Sequence, residues 1–167
     1  MIQVRQANRA DAKLLMQLIL EMGQHERLAV TATAGQLAED GFGERPRFHA
    51  IIAEDGAGAA GYAFFFDYYS SFQGPGVFLE DLYVRGAYRG KGVGRALLSH
   101  IARQVIDGGD FGIVFNVLDW NQSALRFFED KGASVQSDRK TLCLTGAALR
   151  DMAVTTLSTP GGSHARN

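Results

Sequence analysis

The spacing of apolar and polar residues changes several times along the chain, and each change predicts an element. Residues 2–6 alternate between apolar and polar side chains and predict a first strand. Over residues 9–22 the apolar side chains return every three or four positions, which predicts a helix with Asn8 as its N-cap. A second, shorter helix is expected over residues 34–40.

The middle of the chain predicts three strands and then a longer helix. The strands are expected over residues 48–54, 61–69 and 77–84. The two breaks between them carry turn residues of hairpin length, so an antiparallel meander is expected. An apolar stripe with polar residues opposite it predicts a helix over residues 92–106.

The last third of the chain shows shorter patterns. An apolar run rich in strand-forming residues predicts a strand over residues 111–118, and helical spacing follows over 123–131. Residues 133–136 and 140–145 predict a last pair of strands, before a short helix that ends near Val154. This order of elements predicts an α/β (α+β) domain with a mixed sheet.

Length and composition limit the domain organisation. A chain of 167 residues with 46% hydrophobic residues fits one globular domain, which we expect to span residues 1–154. Residues 155–167 carry proline, glycine and polar residues without periodicity, so we expect a flexible tail there.

Charge and cysteine content exclude several classes of protein. The formal net charge of −1 and the pI near 6.4 argue against nucleic acid as a partner. Charges near the start and the lack of a long apolar run argue against a signal peptide and a membrane span. Because Cys143 is the only cysteine, a reducing, cytoplasmic location is expected. The four histidines are too scattered to predict a metal site.

The densest chemical signal lies between the third predicted strand and the long helix that follows. Arg89, Gly92 and Gly94 form an R-x-x-G-x-G pattern, and Gly90 lies within it. Glycines leave backbone N–H groups accessible, and the helix N-terminus adds partial positive charge, so the loop suits a phosphate or pyrophosphate. Lys91 is followed by glycine rather than by serine or threonine, and the G-x-G-x-x-G spacing fails, so neither a P-loop nor a dinucleotide loop is predicted.

Two carboxylates, Glu80 and Asp81, lie within the third predicted strand. Regular alternation would place Glu80 on the face of Phe78 and Leu82, and Asp81 on the opposite face. A carboxylate that is buried on an apolar face has a raised pKa and suits proton abstraction. Alternation alone leaves open whether either acid is such a base or is paired with an arginine at a sheet edge.

These motifs together resemble the GNAT N-acetyltransferase superfamily. The glycine loop resembles its acetyl-CoA pyrophosphate loop, and residues 121–132 resemble a second family segment. Four stretches in order, AEDGFGERP, FLEDLYV, YRGKGVG and VLDWNQSA, resemble the diamine acetyltransferase branch, which includes spermidine/spermine and thialysine acetyltransferases. The resemblance implies the GNAT fold, with a mostly antiparallel central sheet that helices flank on both faces. It also implies a homodimer.

The resemblance implies acetyl-CoA as the cosubstrate and places its binding residues. Backbone groups just after the two acids would bind the pantetheine arm like an added strand, and the loop would bind the phosphates. Asn121 would either contact the cofactor or only cap its helix. The implied cofactor-binding residues are Leu82, Tyr83, Val84, Arg89, Gly90, Lys91, Gly92, Val93, Gly94, Arg95, Asn121 and Phe127.

The implied reaction is acetylation of a primary amine of a small molecule. Glu80 is expected to be the base, acting through water, with Asp81 assisting amine binding. Glu26 is the remaining acid expected to bind the substrate. The sequence shows no Ser/His/Asp or Cys/His set, so direct attack of the amine on the thioester is preferred to a covalent acyl-enzyme. A diamine, a polyamine and an amino acid of the thialysine kind remain open as substrates.

The chain departs from the family at Phe128, where the family usually has a tyrosine as general acid. Three possibilities remain open. The thiolate leaves with help from water or a backbone N–H; another hydroxyl, from Ser123 or from Tyr68, Tyr69, Tyr83 or Tyr88, takes the role; or the protein binds acetyl-CoA and turns over slowly. The last possibility leads to the alternative function of a regulatory or sensor module.

Overall fold

The computed structural model describes residues 1–154. The chain forms two compact units, one of residues 1–119 and a second that begins at Trp120. The tail expected over residues 155–167 lies outside the described residues.

Most of the regular structure lies in the first unit. Its strands are β1 (Gln3–Gln6), β2 (His49–Asp55), β3 (Gly58–Ser70), β4 (Gly74–Val84) and β5 (Ile113–Phe115). Its helices are α1 (Ala12–Glu26), α2 (Ala34–Phe42) and α3 (Val93–Gly108), with single 3-10 turns at Arg9–Asp11 and Gly86–Tyr88. The second unit contains α4 (Gln122–Glu129) and α5 (Gly146–Val154).

The strands form one mixed sheet in the order β1-β2-β3-β4-β5. The first four strands pair antiparallel, and β5 runs parallel to β4. The predicted meander and the mixed, mostly antiparallel sheet are therefore confirmed. The parallel pair follows from the connection, because a helix of the length of α3 returns the chain to the end of the sheet at which β4 began.

Helices cover both faces of this sheet, as expected. Leu15 and Leu18 of α1 and Leu37 of α2 are buried in one cluster with Tyr62 of β3. Helix α3 packs against β2, β3 and β4. Its predicted apolar stripe is buried and consists of Val93, Leu97, Ile101 and Val105. Asn8 caps the 3-10 turn Arg9–Asp11, where its side chain accepts a hydrogen bond from the N–H of Ala10. The predicted cap is therefore confirmed for this turn, whereas α1 itself begins later, at Ala12.

The predicted pair of strands near the end of the chain is wrong. Residues 133–136 and 140–145 form loops and turns, and most of their side chains are exposed. Cys143, which lies within the second of these predicted strands, is exposed as well. Strand propensity describes single residues, whereas a strand also needs a partner with a matching edge, and an isolated hairpin is marginally stable in water. The strand expected over residues 111–118 is shorter for the same reason, since only Ile113–Phe115 pair with β4.

Candidate active site

A β-bulge in β4 separates the two acids that the sequence singles out. Asp81 pairs with Phe64 of β3, whereas Leu79 pairs with the next residue, Phe65, so Glu80 has no partner in β3. Directly paired residues share a face, so Asp81 lies on the face of Phe64, opposite to that of Leu79. The predicted alternation, which placed Asp81 and Leu79 on one face, is therefore wrong. Glu80 is exposed at the bulge.

Asp81 is a largely buried carboxyl group with a raised pKa. The hydroxyl of Tyr62 donates a hydrogen bond of 2.8 Å to its Oδ2 and lies 3.3 Å from Sδ of Met22. Burial raises the pKa of Asp81 to about 6, the hydrogen bond from Tyr62 opposes the rise, and the charges of Glu80 and Glu26 add to it. A carboxyl group with a pKa near neutrality can exchange protons at physiological pH.

Glu26, at the C-terminal end of α1, is the third acid of the site. It is half-buried, and this burial raises its pKa, while the neighbouring charge of His25 lowers it. Its charge acts on both Asp81 and Tyr62, so it lies within electrostatic range of both groups. The fold thus brings together all three acids for which the sequence predicts amine binding, although Glu26 is far from the other two along the chain. Three carboxyl groups in one place favour a cationic ligand.

Sequence reasoning missed Tyr62. Burial raises its pKa above the usual range for tyrosine, and the neighbouring Asp81 carboxylate raises it further, so the hydroxyl stays protonated and serves as a donor. Its side chain is fully buried. Tyr62 lies in the run GYAFFF, which reads as apolar sheet core. Only the register of β3 on β4 reveals that this hydroxyl meets an acid, since Asp81 pairs with Phe64 and so lies on the face that Phe64 shares with Tyr62.

Beyond the bulge, β4 is paired with a neighbouring strand on one edge only. Leu82, Tyr83 and Val84 pair with β3, but the pairing with β5 covers only Val77 to Leu79 of β4. Within residues 1–154, the other edge of β4 is therefore open from the bulge onward. An open edge presents N–H and C=O groups that can bind an extended chain. The three residues predicted to bind the pantetheine arm lie along this edge.

The predicted phosphate loop connects this edge to α3. Gly90 and Gly92 adopt left-handed backbone angles, with φ of +72° and +81°, and α3 begins directly after Gly92. In the part of the chain that the structure describes, no side chain caps this helix N-terminus. The first helical turn therefore directs unpaired N–H groups and a partial positive charge outward, as an anion site requires.

The loop is fixed at one end and carries exposed cations at the other. Arg85 donates two hydrogen bonds, of 2.8 and 2.7 Å, to Glu21 of α1 and one of 2.8 Å to the carbonyl of Ala59. This ion pair holds the pKa of Glu21 below its usual range. The exposed cations are those predicted from the sequence, Arg89, Lys91 and Arg95.

Comparison with known proteins identifies the family. Residues 14–133 match the family described as Acetyltransferase (GNAT) family. The chain belongs to this GNAT acetyltransferase family. Among relatives, the thialysine N-epsilon-acetyltransferase of Bos taurus is 30% identical over 165 residues, covering 91% of this chain and 97% of that protein. The L-ornithine N5-acetyltransferase NATA1 of Arabidopsis thaliana is 39% identical over 92 residues, which cover 54% of this chain and 40% of that protein.

Solved structures share the GNAT fold. An integron cassette protein of V. cholerae superposes with a TM-score of 0.77 at 20% identity, over 92% of this chain and 98% of that one. An aminoglycoside acetyltransferase from a soil metagenome superposes with a TM-score of 0.72 at 15% identity, over 86% of this chain and 97% of that one. As a member of the GNAT acetyltransferase family, the protein is an N-acetyltransferase that acts on amines. The alternative of a non-catalytic module receives no support from these comparisons.

Two residues implied by the GNAT resemblance lie in the second unit. The Asn121 side chain accepts hydrogen bonds from the Ala124 N–H at 3.1 Å and the Ser123 hydroxyl at 3.0 Å, so it caps α4. The ring of Phe127 lies 4.6 Å from the ammonium group of Lys131. The capping role that the sequence left open for Asn121 is thus observed, and its contact with the cofactor stays a prediction, as does that of Phe127.

The described residues contain neither a metal-binding cluster nor a helix suited to cross a membrane. Among residues 1–154, no cluster of histidine, cysteine, aspartate and glutamate has an arrangement that would hold a metal ion. None of the helices in this range combines the length and the apolar character that crossing a membrane requires.

Proposed function

We propose that this GNAT acetyltransferase transfers the acetyl group of acetyl-CoA to a primary amine of a small molecule. The acceptor is a diamine, a polyamine or an amino acid of the thialysine kind. The names of the relatives support this choice. The single observation that carries it is the largely buried carboxyl group of Asp81, which lies at the bulge of β4 beside Glu80 and within electrostatic range of Glu26.

Asp81 is the proton acceptor in this proposal, which reverses the two roles expected from the sequence. A primary amine is protonated at neutral pH and must lose a proton before its nitrogen can attack. Asp81 has a pKa of about 6 and is therefore ionised at neutral pH, yet it is basic enough to take this proton. Exposed Glu80 attracts the incoming ammonium group and, through its charge, keeps the pKa of Asp81 raised.

The residues that would hold acetyl-CoA fit its chemistry. The open edge at Leu82, Tyr83 and Val84 suits the amide groups of the pantetheine arm, and the loop at Gly90 and Gly92 suits the pyrophosphate. Acetyl-CoA supplies the thioester carbonyl carbon that the amine attacks. After Asp81 has taken the ammonium proton, a C–N bond forms at this carbon and the C–S bond breaks. The second proton of the attacking nitrogen goes to the departing thiolate through water, which gives the acetylated amine and the CoA thiol.

Because residue 128 is phenylalanine, the departing thiolate of CoA lacks the tyrosine that usually acts as general acid in the family. Of the hydroxyls considered as substitutes, Tyr88 donates to Asp55 at 3.2 Å and Ser123 donates to Asn121 at 3.0 Å. Both therefore already have partners. We propose that water or a backbone N–H assists the thiolate instead, and that activity persists, because general acid help contributes about 10²–10⁴-fold rather than the whole rate enhancement.

The test measures CoA release with a panel of diamines, polyamines, thialysine, lysine and peptides, and then compares Asp81→Asn with Glu80→Gln. Asp81→Asn is expected to lower kcat/KM by about 10²–10⁴-fold. In the wild type, kcat/KM falls as pH drops through about 6, because protonated Asp81 accepts no proton. Glu80→Gln is expected to lower the rate less and to move this fall to lower pH, since it removes a charge that raises the pKa of Asp81.

Asp67→Asn, a change at an exposed acid of β3, is the matched control and should leave the profile unchanged. If Glu80→Gln abolished the fall near pH 6 while Asp81→Asn kept it, the base would be Glu80. Acetyl-CoA binding without amine-dependent CoA release anywhere in the panel would make the protein the binding module instead.

We also propose a cytoplasmic location and a homodimer. The location is supported by Cys143, the only cysteine in the sequence, because proteins of oxidising compartments commonly use paired cysteines. The homodimer is supported by the resemblance to the diamine acetyltransferase branch.

A further inference from the structure

The first unit contains a cavity that Phe64, the cross-strand neighbour of Asp81, helps to line. It measures about 380 Å³, within the usual range for small-molecule sites. It lies where the loop after α1, α2 and the start of β2 meet β3, all within the first unit. Its lining includes Leu37, Asp40, Arg47, Phe48 and Phe64.

One end of the cavity carries a pair of opposite charges. The guanidinium Nε of Arg47 lies 3.4 Å from Oδ1 of Asp40. The backbone N–H of Arg47 donates a hydrogen bond of 2.7 Å to the carbonyl of Asp40, which fixes the two residues side by side. The side chains are 79% and 48% exposed, so their mutual attraction is weak and each can exchange its partner for a ligand group.

The wall of the cavity is apolar and includes a residue that pairs with Asp81, the proposed base. The rings of Phe48 and Phe64 stack at a centroid distance of 4.0 Å, and Leu37 adds a further apolar surface. Phe64 is the residue that pairs with Asp81 across β3 and β4, so the Cα atoms of the two are about 5 Å apart. The ion pair and the aromatic rings thus share one cavity, and Phe64 of this cavity is the cross-strand neighbour of Asp81.

We propose that Asp40 and Arg47 bind the α-ammonium and α-carboxylate groups of an amino acid whose distal primary amine reaches Asp81. The inference rests on the proposed function and narrows its substrate to α-amino acids with an amine at the end of the side chain. A carboxylate matches the planar donor face of a guanidinium group, and an ammonium group matches an aspartate. The aliphatic or thioether chain between the two ends packs on Phe48 and Phe64.

The same arrangement selects against diamines. A diamine presents a second ammonium group at the far end of the cavity, where Asp40 would attract it and Arg47 would repel it. It also leaves the guanidinium group without a carboxylate partner. The positive charge of Arg47 is therefore the feature that separates the two substrate classes.

The test compares amino acids with the diamines that differ from them only by the carboxylate, lysine with cadaverine and ornithine with putrescine. For the wild type, kcat/KM is expected to favour the amino acid by about tenfold or more. Arg47→Gln should lower kcat/KM for the amino acid by about 10- to 100-fold, the range of a charge-assisted hydrogen bond, and leave the diamine within about twofold. Arg47→Glu should raise the value for the diamine.

Arg45→Gln is the matched control, because Arg45 is an exposed arginine two positions away that does not line the cavity. The Arg45→Gln variant should leave kcat/KM unchanged for both amino acids and diamines. A wild type that prefers diamines, or an Arg47→Gln variant that loses both classes equally, would overturn the proposal.

Calorimetric titration of lysine into wild type and Arg47→Gln separates this proposal from the proposed function. Lysine binding that depends on Arg47, without CoA release from any amine, would support the headgroup site and overturn the acetyltransferase reaction with small amines. Acetylation of diamines without any binding of lysine would keep the reaction and overturn the headgroup site.

Discussion

The role proposed for Asp81 comes at the expense of stability. Its carboxyl group lies against Tyr62 in the sheet, where burial disfavours the charged form. The resulting pKa of about 6 exceeds the ordinary value of 3.8, so the folded state binds a proton more tightly than the unfolded chain does. Stability is therefore expected to fall as pH rises from about 4 to 6.

Asp81→Asn should accordingly stabilise the protein at neutral pH while it lowers activity. A shift of about two pKa units corresponds to about 3 kcal/mol at most. The gain in the free energy of unfolding should grow by about 2 kcal/mol between pH 4.5 and 7.5, because the wild type loses stability over this interval. Urea denaturation at both pH values measures it.

The exposed Asp67→Asn variant is the control, with little change expected at either pH. A gain from Asp81→Asn that is equal at pH 4.5 and 7.5 would contradict this explanation, because the stabilisation would then be independent of ionisation.

At the residue scale, the sequence identified the acids but not their environments. Glu80 and Asp81 stand out because charged residues are rare within an apolar strand. The exposure of these two acids depends on the bulge, and the sequence of β4 does not predict that bulge. The sequence does not single out Tyr62 or Arg47 as site residues. A tyrosine in an apolar run is usually part of the core, and an arginine in a loop is usually a solvated surface residue.

At the element scale, the loop before α3 depends on glycine for its shape. Gly92 has a φ of +81° at the helix N-cap, and a Cβ atom there would meet nothing within 4 Å. The obstacle to a side chain is thus backbone strain rather than collision, at about 1–2 kcal/mol for a left-handed residue.

Gly92→Ala should therefore lower the free energy of unfolding by about 1 kcal/mol and weaken CoA binding by about tenfold or more, because the N–H groups of the loop would lose their alignment. Calorimetric titration with CoA and urea denaturation give the two values. Gly35→Ala is the control, since Gly35 lies in α2 with ordinary helical angles and its added Cβ would come no closer than 3.9 Å to another residue. Unchanged CoA affinity in Gly92→Ala would remove the loop from phosphate binding.

The elements that the sequence predicted best are those whose pattern is complete within one segment. Helix α3 buries the apolar stripe expected of it, and the hairpins between β2, β3 and β4 follow their turn residues. The strands expected over residues 133–136 and 140–145 do not form, because a strand needs hydrogen bonds to a neighbouring strand, which local sequence does not reveal. The same physical reason limits β5 to three residues.

At the scale of the whole molecule, the distribution of apolar surface is consistent with self-association. Large apolar side chains are exposed at the end of the β3–β4 hairpin, with Tyr69 at 74% and Phe72 at 97% exposure. Exposed aromatic residues close together commonly mark interaction surfaces. This adds a physical argument to the homodimer expected from the resemblance.

Light scattering coupled to size-exclusion chromatography should give about twice the chain mass of 18.1 kDa at micromolar concentration. A mass of one chain across the whole concentration range would contradict the homodimer. Phe72→Ser tests the hairpin itself, because dissociation by this variant would assign the interface to it.

The sequence by itself determined the family, the order of most elements and the identity of the chemical groups, because motifs and periodicity are local. It determined the glycine loop and the three acids, Glu26, Glu80 and Asp81, for the same reason. Only the tertiary structure decided that Asp81 is buried against Tyr62 while Glu80 is exposed, and that Asp40 and Arg47 share a cavity with Phe64. Those facts depend on register, a bulge and contacts between distant segments, which are properties of the folded chain rather than of any one stretch of it.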